Sequence, residues 1–209
     1  EGSKSDFHRY VVNANNVESE DYYQSMYEVI FRANNILGFI EVADVENQAK
    51  YAAEAKFLRA YAYFNLVRLY SDVPLVTEVV GPTDNEALFT RIPEAQIYAQ
   101  IVEDLQEAVN VLDNSAKARA SKAAAQGILA KVYMTQPNKN YSGASQLCEA
   151  IINRGNFSLE SNYSDVFYDE LNDEIIFAVQ YVAGNSAESQ SFSSEFTSTF
   201  RQGREDGQN

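Results

Sequence analysis

A run of alanines and large apolar residues from Ala52 to Val76 most limits what this chain can fold into. Between Phe57 and Tyr70, its only strongly polar residues are Arg59, Asn65 and Arg68. A helix that is apolar on nearly all sides is buried among neighbouring elements. The run is too short to span a bilayer, which takes about 20 apolar residues, and Pro74 disfavours helical geometry just before it. We therefore predict a central helix that other helices surround.

Steps of three and four residues place the large side chains of this helix on two faces. One face carries Ala55, Leu58, Ala62, Leu66 and Leu69, and the other carries Phe57, Tyr61, Phe64 and Arg68. Lys50 and Glu54, one turn apart, are predicted to form an exposed ion pair. Arg68 and Asp72 have the same spacing. We expect these charges to satisfy the backbone groups at a helix end rather than to contact a ligand.

Four further segments show helical periodicity and are predicted to pack around the central helix. They run from about Ser19 to Gly38, from Pro93 to Leu112, from Ser121 to Thr135 and from Ser142 to Asn153. The connection from Ser71 to Ile92 has no strong periodicity and is long for a compact helical domain, which is often a sign of function.

The period changes after the last of these helices. Residues Glu174 to Val182 are rich in β-branched and aromatic side chains, so this segment is predicted to be a strand. Residues 184–209 are rich in Ser, Gln, Asn and Gly, which is typical of a loop or a disordered segment. Within them, Phe192, Phe196 and Phe200 recur at a spacing that would also suit one short helix.

An internal repeat appears when the chain is shifted by 63 residues. Leu66-Val67-Arg68-Leu69-Tyr70 then aligns with Leu129-Ala130-Lys131-Val132-Tyr133. Both segments are the second helix of a predicted helix pair. We therefore predict a mainly α fold of tetratricopeptide-like stacked helix–turn–helix repeats, with long loops and little strand.

Composition and charge exclude several classes of function. The net charge of −14, from 16 basic and 30 acidic residues, argues against binding nucleic acid, which depends on clustered Lys and Arg. His8 is the only histidine and has no cysteine partner nearby, so no metal site is expected. Cys148, the only cysteine, is predicted to be buried on an apolar helix face. Neither a Gly-x-Ser-x-Gly elbow nor a phosphate-binding Gly-Lys-Ser/Thr loop occurs, so we predict no catalytic residue and no cofactor.

The central helix and several other segments resemble the SusD/RagB family. The most specific match is Ala53 to Leu75, which reads Ala-Glu-Ala-Lys-Phe-Leu-Arg-Ala-Tyr-Ala-Tyr-Phe-Asn-Leu-Val-Arg-Leu-Tyr-Ser-Asp-Val-Pro-Leu. Four further segments agree, namely Tyr27 to Leu37 with Ala33-Asn34, Tyr98 to Leu112, Arg119 to Tyr133, and Glu174 to Gln180.

The resemblance implies a non-catalytic lipoprotein on the outer-membrane surface. Such a protein would bind an oligosaccharide or another nutrient and pass it to a SusC-like TonB-dependent transporter. The lipidated cysteine of the family is absent from this chain, and so is the long C-terminal half. The resemblance therefore implies a fragment, with an incomplete helical-repeat domain over residues 1–183 and a separate segment over 184–209. Leu147, Ile151 and Ile152 would then expose apolar surface where a partner helix is missing.

A carbohydrate site needs exposed aromatic faces with amides or acids beside them, because sugar rings stack on aromatics and sugar hydroxyls form hydrogen bonds. The ligand loops of the family vary, so no residue carries over by motif. Position favours the segment before and at the start of the first long helix, where the candidate residues are Tyr10, Asn13, Asn16, Tyr22 and Tyr23. Tyr23 could equally pack in the core. The loop from Ser71 to Ile92 is the alternative location.

A second hypothesis stays open on the same residues. A helical-repeat scaffold can bind a protein partner through its concave face, without any carbohydrate. An enzyme is a distant third, because 30 acidic residues bring some carboxylates together by chance.

Overall fold

The computed structural model describes residues 3–81, 86–154 and 156–180. The chain divides into two compact units, residues 1–178 and 179–209, and only Val179 and Gln180 of the second unit are described. The predicted short helix at Phe192–Phe200 and the predicted segment 184–209 therefore lie outside the described residues. The predicted domain boundary after residue 183 stays a prediction.

Helices make up most of the described chain. In order they are α1 (Ser5–Arg9), α2 (Val17–Gly38), α3 (Val45–Tyr70), α4 (Glu94–Val111), α5 (Lys122–Thr135), α6 (Tyr141–Ile152) and α7 (Asp165–Tyr168). Two short 3₁₀ turns span Ile40–Val42 and Glu86–Phe89. Two strands of two residues each, β1 (Val73–Pro74) and β2 (Arg91–Ile92), form one antiparallel pair.

The long helices stack in chain order. Helix α2 packs on α3, α3 on α4, α4 on α5 and α5 on α6. The two segments of the 63-residue repeat lie in α3 and α5, the second members of the pairs α2–α3 and α4–α5. The prediction of a mainly helical, tetratricopeptide-like repeat fold is confirmed.

Helix α3 is the centre of the core, as its sequence predicts. Phe57, Ala60, Ala62, Tyr63 and Leu66 are completely buried. Three side chains assigned to its buried faces, Leu58, Tyr61 and Leu69, are exposed instead. The sequence pattern misplaces them because a neighbouring helix covers only part of each face.

A polar network crosses this apolar core and joins three helices to the loop after α3. Arg59 of α3 contacts Asp104 of α4, Asn34 of α2 and the carbonyl of Thr77. The Asn34 amide donates to the carbonyl of Val76 at 3.0 Å. Buried charges are tolerated when they are paired and fully hydrogen-bonded, which this arrangement achieves for Arg59.

The long connection after α3 is shaped by specific contacts rather than by periodicity. Ser71 has a φ of 58° and ends α3, and Val73 then pairs with Ile92 across β1 and β2. The Asp72 carboxylate accepts a hydrogen bond from the first backbone N–H of α4, that of Glu94, at 2.9 Å. Arg68 instead contacts Asn65 and the Phe64 carbonyl. Asp72 thus satisfies a helix end, as predicted, but through α4 and not through Arg68.

Several local predictions are wrong. Residues 174–180 form no strand. The Ala178 N–H donates to the Lys117 carbonyl at 3.4 Å, but no ladder of such bonds develops among the described residues, and Ile176 and Phe177 pack on the helical core. Cys148 is exposed, because α6 turns Ala144 and Ile151 toward α5. Of the three α6 residues expected to be uncovered, Ile152 is exposed, Leu147 is partly buried and Ile151 is buried.

Candidate functional site

The segment before α2, where the sequence places the candidate site, is docked on the start of that helix by Asn16. The Asn16 side chain is buried, and its oxygen caps α2 by accepting from the Ser19 N–H at 3.0 Å. Its amide donates to the Ser3 carbonyl at 2.9 Å and to the Asp6 carboxylate at 3.0 Å. Helix α1 is not among the helices that the sequence predicts, and the bonds from Asn16 hold it in place.

Tyr10 and Asn13 lie on the turn between α1 and α2. Tyr10 ends α1 with a φ of 57°, and its side chain is 95% exposed. Asn13 is exposed, and its side-chain oxygen accepts a hydrogen bond from the Asn15 N–H at 2.9 Å. These two residues offer an open ring face and an amide, the pair of groups that a sugar unit requires.

Tyr22 and Tyr23 sit on the first turns of α2 in different surroundings. Tyr23 is partly buried. Its ring centroid lies 4.8 Å from that of Tyr27, with the rings tilted by 44°, and 5.1 Å from that of Tyr70 in an edge-on arrangement. Tyr22 is exposed and lies beside Arg68 and Tyr61 of α3.

The five candidates therefore do not form one cluster. Asn16 caps a helix, and Tyr10, Asn13 and Tyr22 are open to solvent. Tyr23 packs with Tyr27, Tyr63 and Tyr70 in what we call the aromatic column. No hydrogen bond or ring contact joins Tyr10 to Tyr22 within the residues that the structure describes. Nothing in the sequence distinguishes the exposed candidates from the buried ones, because the difference arises only when α1 and α3 pack on α2.

The aromatic column continues into the core and fixes the loop after α3. The Tyr27 hydroxyl donates to the Pro74 carbonyl at 2.7 Å, and the Tyr70 hydroxyl donates to the Ser19 carbonyl at 2.6 Å. The Tyr63 hydroxyl donates to the Val76 carbonyl at 2.9 Å and accepts from the Val76 N–H at 2.7 Å. The column therefore holds the start of α2, which carries Tyr22 and Tyr23, against α3 and the loop after it.

Burial raises the pKa of three tyrosines that lie in the aromatic column or next to it. Desolvation raises the pKa of Tyr63 to about 12, and it also raises the pKa of Tyr27 and Tyr22 above the ordinary value. All three side chains are therefore neutral near pH 7. A neutral tyrosine hydroxyl can both donate and accept, as a sugar hydroxyl does.

The described residues contain no group of three or more His, Cys, Asp or Glu side chains that could hold a metal ion. In the same part of the chain, every helix is too short or too polar to cross a bilayer.

The stacked helix pairs define a helical-repeat scaffold, and comparison with known proteins assigns it to a family. Residues 1–134 match the profile of the SusD-like family described as "Starch-binding associating with outer membrane". SusD-like protein P25 of Formosa agariphila is 32% identical over 183 residues, which are 81% of this chain and 33% of that protein. The chain therefore belongs to the SusD/RagB family, and it spans about a third of the length of this relative.

Solved structures of SusD-like proteins share the same fold. A crystal structure with a xylogluco-oligosaccharide superposes with a TM-score of 0.79 and 28% identity, over 92% of this chain and 42% of that one. A laminarin-binding SusD-like protein superposes with a TM-score of 0.65 and 29% identity, over 75% of this chain and 36% of that one.

Proposed function

We propose that this chain is part of a non-catalytic glycan-binding protein of the outer-membrane surface. The observation that carries the proposal is its membership of a family described as starch-binding and associating with the outer membrane. The oligosaccharide and laminarin named for two structural neighbours are glycans as well. In this proposal the captured oligosaccharide passes uncleaved to a SusC-like TonB-dependent transporter.

The exposed residues of the N-terminal segment would make the first contact. Tyr10 would stack on a pyranose ring, the Asn13 amide would bind a ring hydroxyl, and Tyr22 would supply a second aromatic face. Asn16 and Tyr23 would act indirectly, since the first holds α1 on α2 and the second orients the start of α2. Exposed rings on a rigid frame reduce the entropy that is lost on binding.

Calorimetric titration of malto-, laminari- and xylogluco-oligosaccharides into the chain tests this proposal. The double variant Tyr10→Ala/Tyr22→Ala should weaken binding roughly tenfold, given about 0.5–1.5 kcal/mol for each lost ring contact. Tyr141→Ala is the matched control, because Tyr141 is 64% exposed and lies on α6. Unchanged affinity in the double variant would rule out this surface.

Affinity purification from solubilised outer membranes tests the transporter partner. The expected result is co-purification of a TonB-dependent transporter with the tagged protein. Recovery of a different protein partner, together with no affinity for any glycan, would instead favour the protein-scaffold hypothesis.

A further inference from the structure

A small pocket with both polar and apolar walls lies where the C-terminal half of the scaffold meets the first half of α3. It has a volume of about 60 Å³, and its walls come from α3, the end of α4 and the loop between α4 and α5. This pocket includes none of the five candidate residues of the N-terminal segment. Its polar lining is Lys50, Glu54, Asp113, Ser115 and Arg119.

Glu54 and Arg119 form the rigid wall of the pocket. Arg119 donates from Nε to Glu54 at 3.0 Å and from Nη2 to the other carboxylate oxygen. Glu54 is buried, whereas Arg119 is largely exposed. The predicted exposed pair between Lys50 and Glu54 is therefore wrong, because Glu54 turns inward to Arg119. Among the described residues, Arg119 Nη1 and the Lys50 ammonium form no hydrogen bond, so both can donate to a ligand.

The loop on the opposite side is also held in place. The Asp113 carboxylate accepts from the Ser115 N–H at 2.9 Å, and the Asp113 carbonyl accepts from the Lys122 N–H at 2.9 Å. The Asn114 side chain accepts from the Ala123 N–H at 2.8 Å. The loop is therefore anchored to the first turn of α5, which gives a pocket that exists before any ligand arrives.

The charges of the pocket balance locally, although the chain as a whole carries −14. Arg119 is neutralised by Glu54. Hydrogen bonds from Ser115 lower the pKa of the Asp113 carboxyl, and the nearby Lys50 ammonium lowers it further. Tyr51 lies beside Arg119 and has 39% of its side chain exposed. A balanced set of donors and acceptors next to an exposed ring suits a neutral, hydroxyl-rich ligand better than an ion.

We infer that this pocket is a second glycan subsite, which binds the edge of one neutral pyranose unit while Tyr51 contacts the ring. The inference rests on the proposed function. It adds a site at the first half of α3, whereas the aromatic column includes Tyr63 and Tyr70 from the second half of that helix. Lys50 and Arg119 Nη1 would donate to sugar hydroxyls, and the Asp113 carboxylate would accept from one. The pocket is too small for a whole sugar ring, so the rest of the unit would lie on the surface.

Chemical-shift mapping tests the inference on the intact ¹⁵N-labelled chain, titrated with the same three oligosaccharides. The expected result is a saturable shift of the Tyr51, Ser115 and Ala116 amides. Tyr51→Ala should weaken that titration roughly three- to tenfold, the equivalent of one lost aromatic contact. Lys50→Ala should weaken it as well, whereas Lys56→Ala, on the same helix and paired with Glu107, should not.

The possible outcomes separate this inference from the proposed function. Shifts confined to the N-terminal segment, with affinity unchanged in Tyr51→Ala and Lys50→Ala, would overturn the second subsite and leave the proposed function intact. Shifts at the pocket whose affinity falls in Tyr51→Ala but stays unchanged in Tyr141→Ala would support it. Absence of any shift with all three oligosaccharides would overturn both.

Discussion

Arg59 and Asp104 are joined by two parallel hydrogen bonds in the interior, from Nε to Oδ2 at 2.8 Å and from Nη2 to Oδ1 at 2.7 Å. The two side chains are 5% and 1% exposed. This ion pair links α3 to α4, which belong to successive helix pairs of the repeat. Its geometry is the planar, two-point contact that guanidinium groups form with carboxylates.

Removing one member of this pair should strongly destabilise the fold. Asp104→Asn leaves Arg59 buried without its counter-charge, and such changes cost about 3–5 kcal/mol of the free energy of unfolding. Urea denaturation followed by circular dichroism measures the loss. Arg32→Gln is the matched control, because Arg32 pairs with Glu28 on the surface and should cost less than about 1 kcal/mol. Equal losses in the two variants would contradict the structural role of Arg59 and Asp104.

Replacing Ser71 by glycine should stabilise the chain. Ser71 has a φ of 58° and a ψ of −119°, a conformation that only glycine adopts without strain. Relief of that strain should outweigh the extra entropy of an unfolded glycine and add about 1 kcal/mol, measured by thermal unfolding. Ser25→Gly, within α2, should instead destabilise by about 0.5 kcal/mol, the difference between the helix propensities of serine and glycine. A lower melting temperature for Ser71→Gly would show that the turn after α3 is different from the one described.

Asn16→Ala should release α1 and fray the start of α2. The change removes a helix cap, which is worth about 1 kcal/mol, and also the bonds to Ser3 and Asp6. Amide hydrogen exchange should accelerate in residues 5–20, while the amides of α5 stay protected. Asn13→Ala removes only the bond from the Asn15 N–H, so it should speed exchange at Asn15 and leave the amides of α1 and α2 unchanged. Similar protection of α1 in both variants would refute the anchoring role of Asn16.

Alkaline pH should weaken the fold through the buried tyrosines. The pKa of Tyr63 is raised to about 12 from an ordinary 10, so its stabilising contribution is complete below pH 10. Between pH 10 and 12, the unfolded chain loses the tyrosine proton and the folded chain keeps it, so the free energy of unfolding falls. Over these two pH units, the free energy of unfolding should fall by about 2–3 kcal/mol.

Denaturation midpoints measured from pH 8 to 12 test this slope. Tyr63→Phe should flatten part of the decline, and Tyr27, whose pKa is also raised by burial, should account for some of what remains. Tyr141→Phe changes an exposed ring and should leave the slope as it is. A Tyr63→Phe slope identical to that of the unmodified chain would contradict the assignment.

The helical scaffold could be predicted from the sequence because its determinants are local. Apolar residues at helical spacing predict α2 to α6, and the echo between Leu66–Tyr70 and Leu129–Tyr133 indicates their stacking. Helix α1 could not be predicted in this way, since Asn16 holds it through contacts with Ser3 and Asp6. The strand predicted at Glu174 is wrong because strand propensity produces a strand only where a ladder of backbone hydrogen bonds forms, and here the Ala178 N–H alone bonds to the Lys117 carbonyl among the described residues.

The candidate site is harder to predict than the scaffold because exposure is a tertiary property. Tyr22 and Tyr23 are adjacent in sequence, yet one is open to solvent and the other packs against Tyr70. The sequence predicts Glu54 to be a surface charge, but in the structure it pairs with Arg119, which lies in a loop far along the chain. The family signature in α3 therefore identifies the scaffold, whereas the proposed sugar contacts come from residues outside it.

Native mass spectrometry of the chain mixed with malto-, laminari- and xylogluco-oligosaccharides tests the central claim most directly. Capture without cleavage predicts an adduct whose mass equals that of the chain plus one or two intact oligosaccharides. The free oligosaccharide masses should not change during a long incubation. Absence of an adduct with every oligosaccharide, or the appearance of shortened products, would contradict the proposal that this chain belongs to a non-catalytic glycan-binding protein.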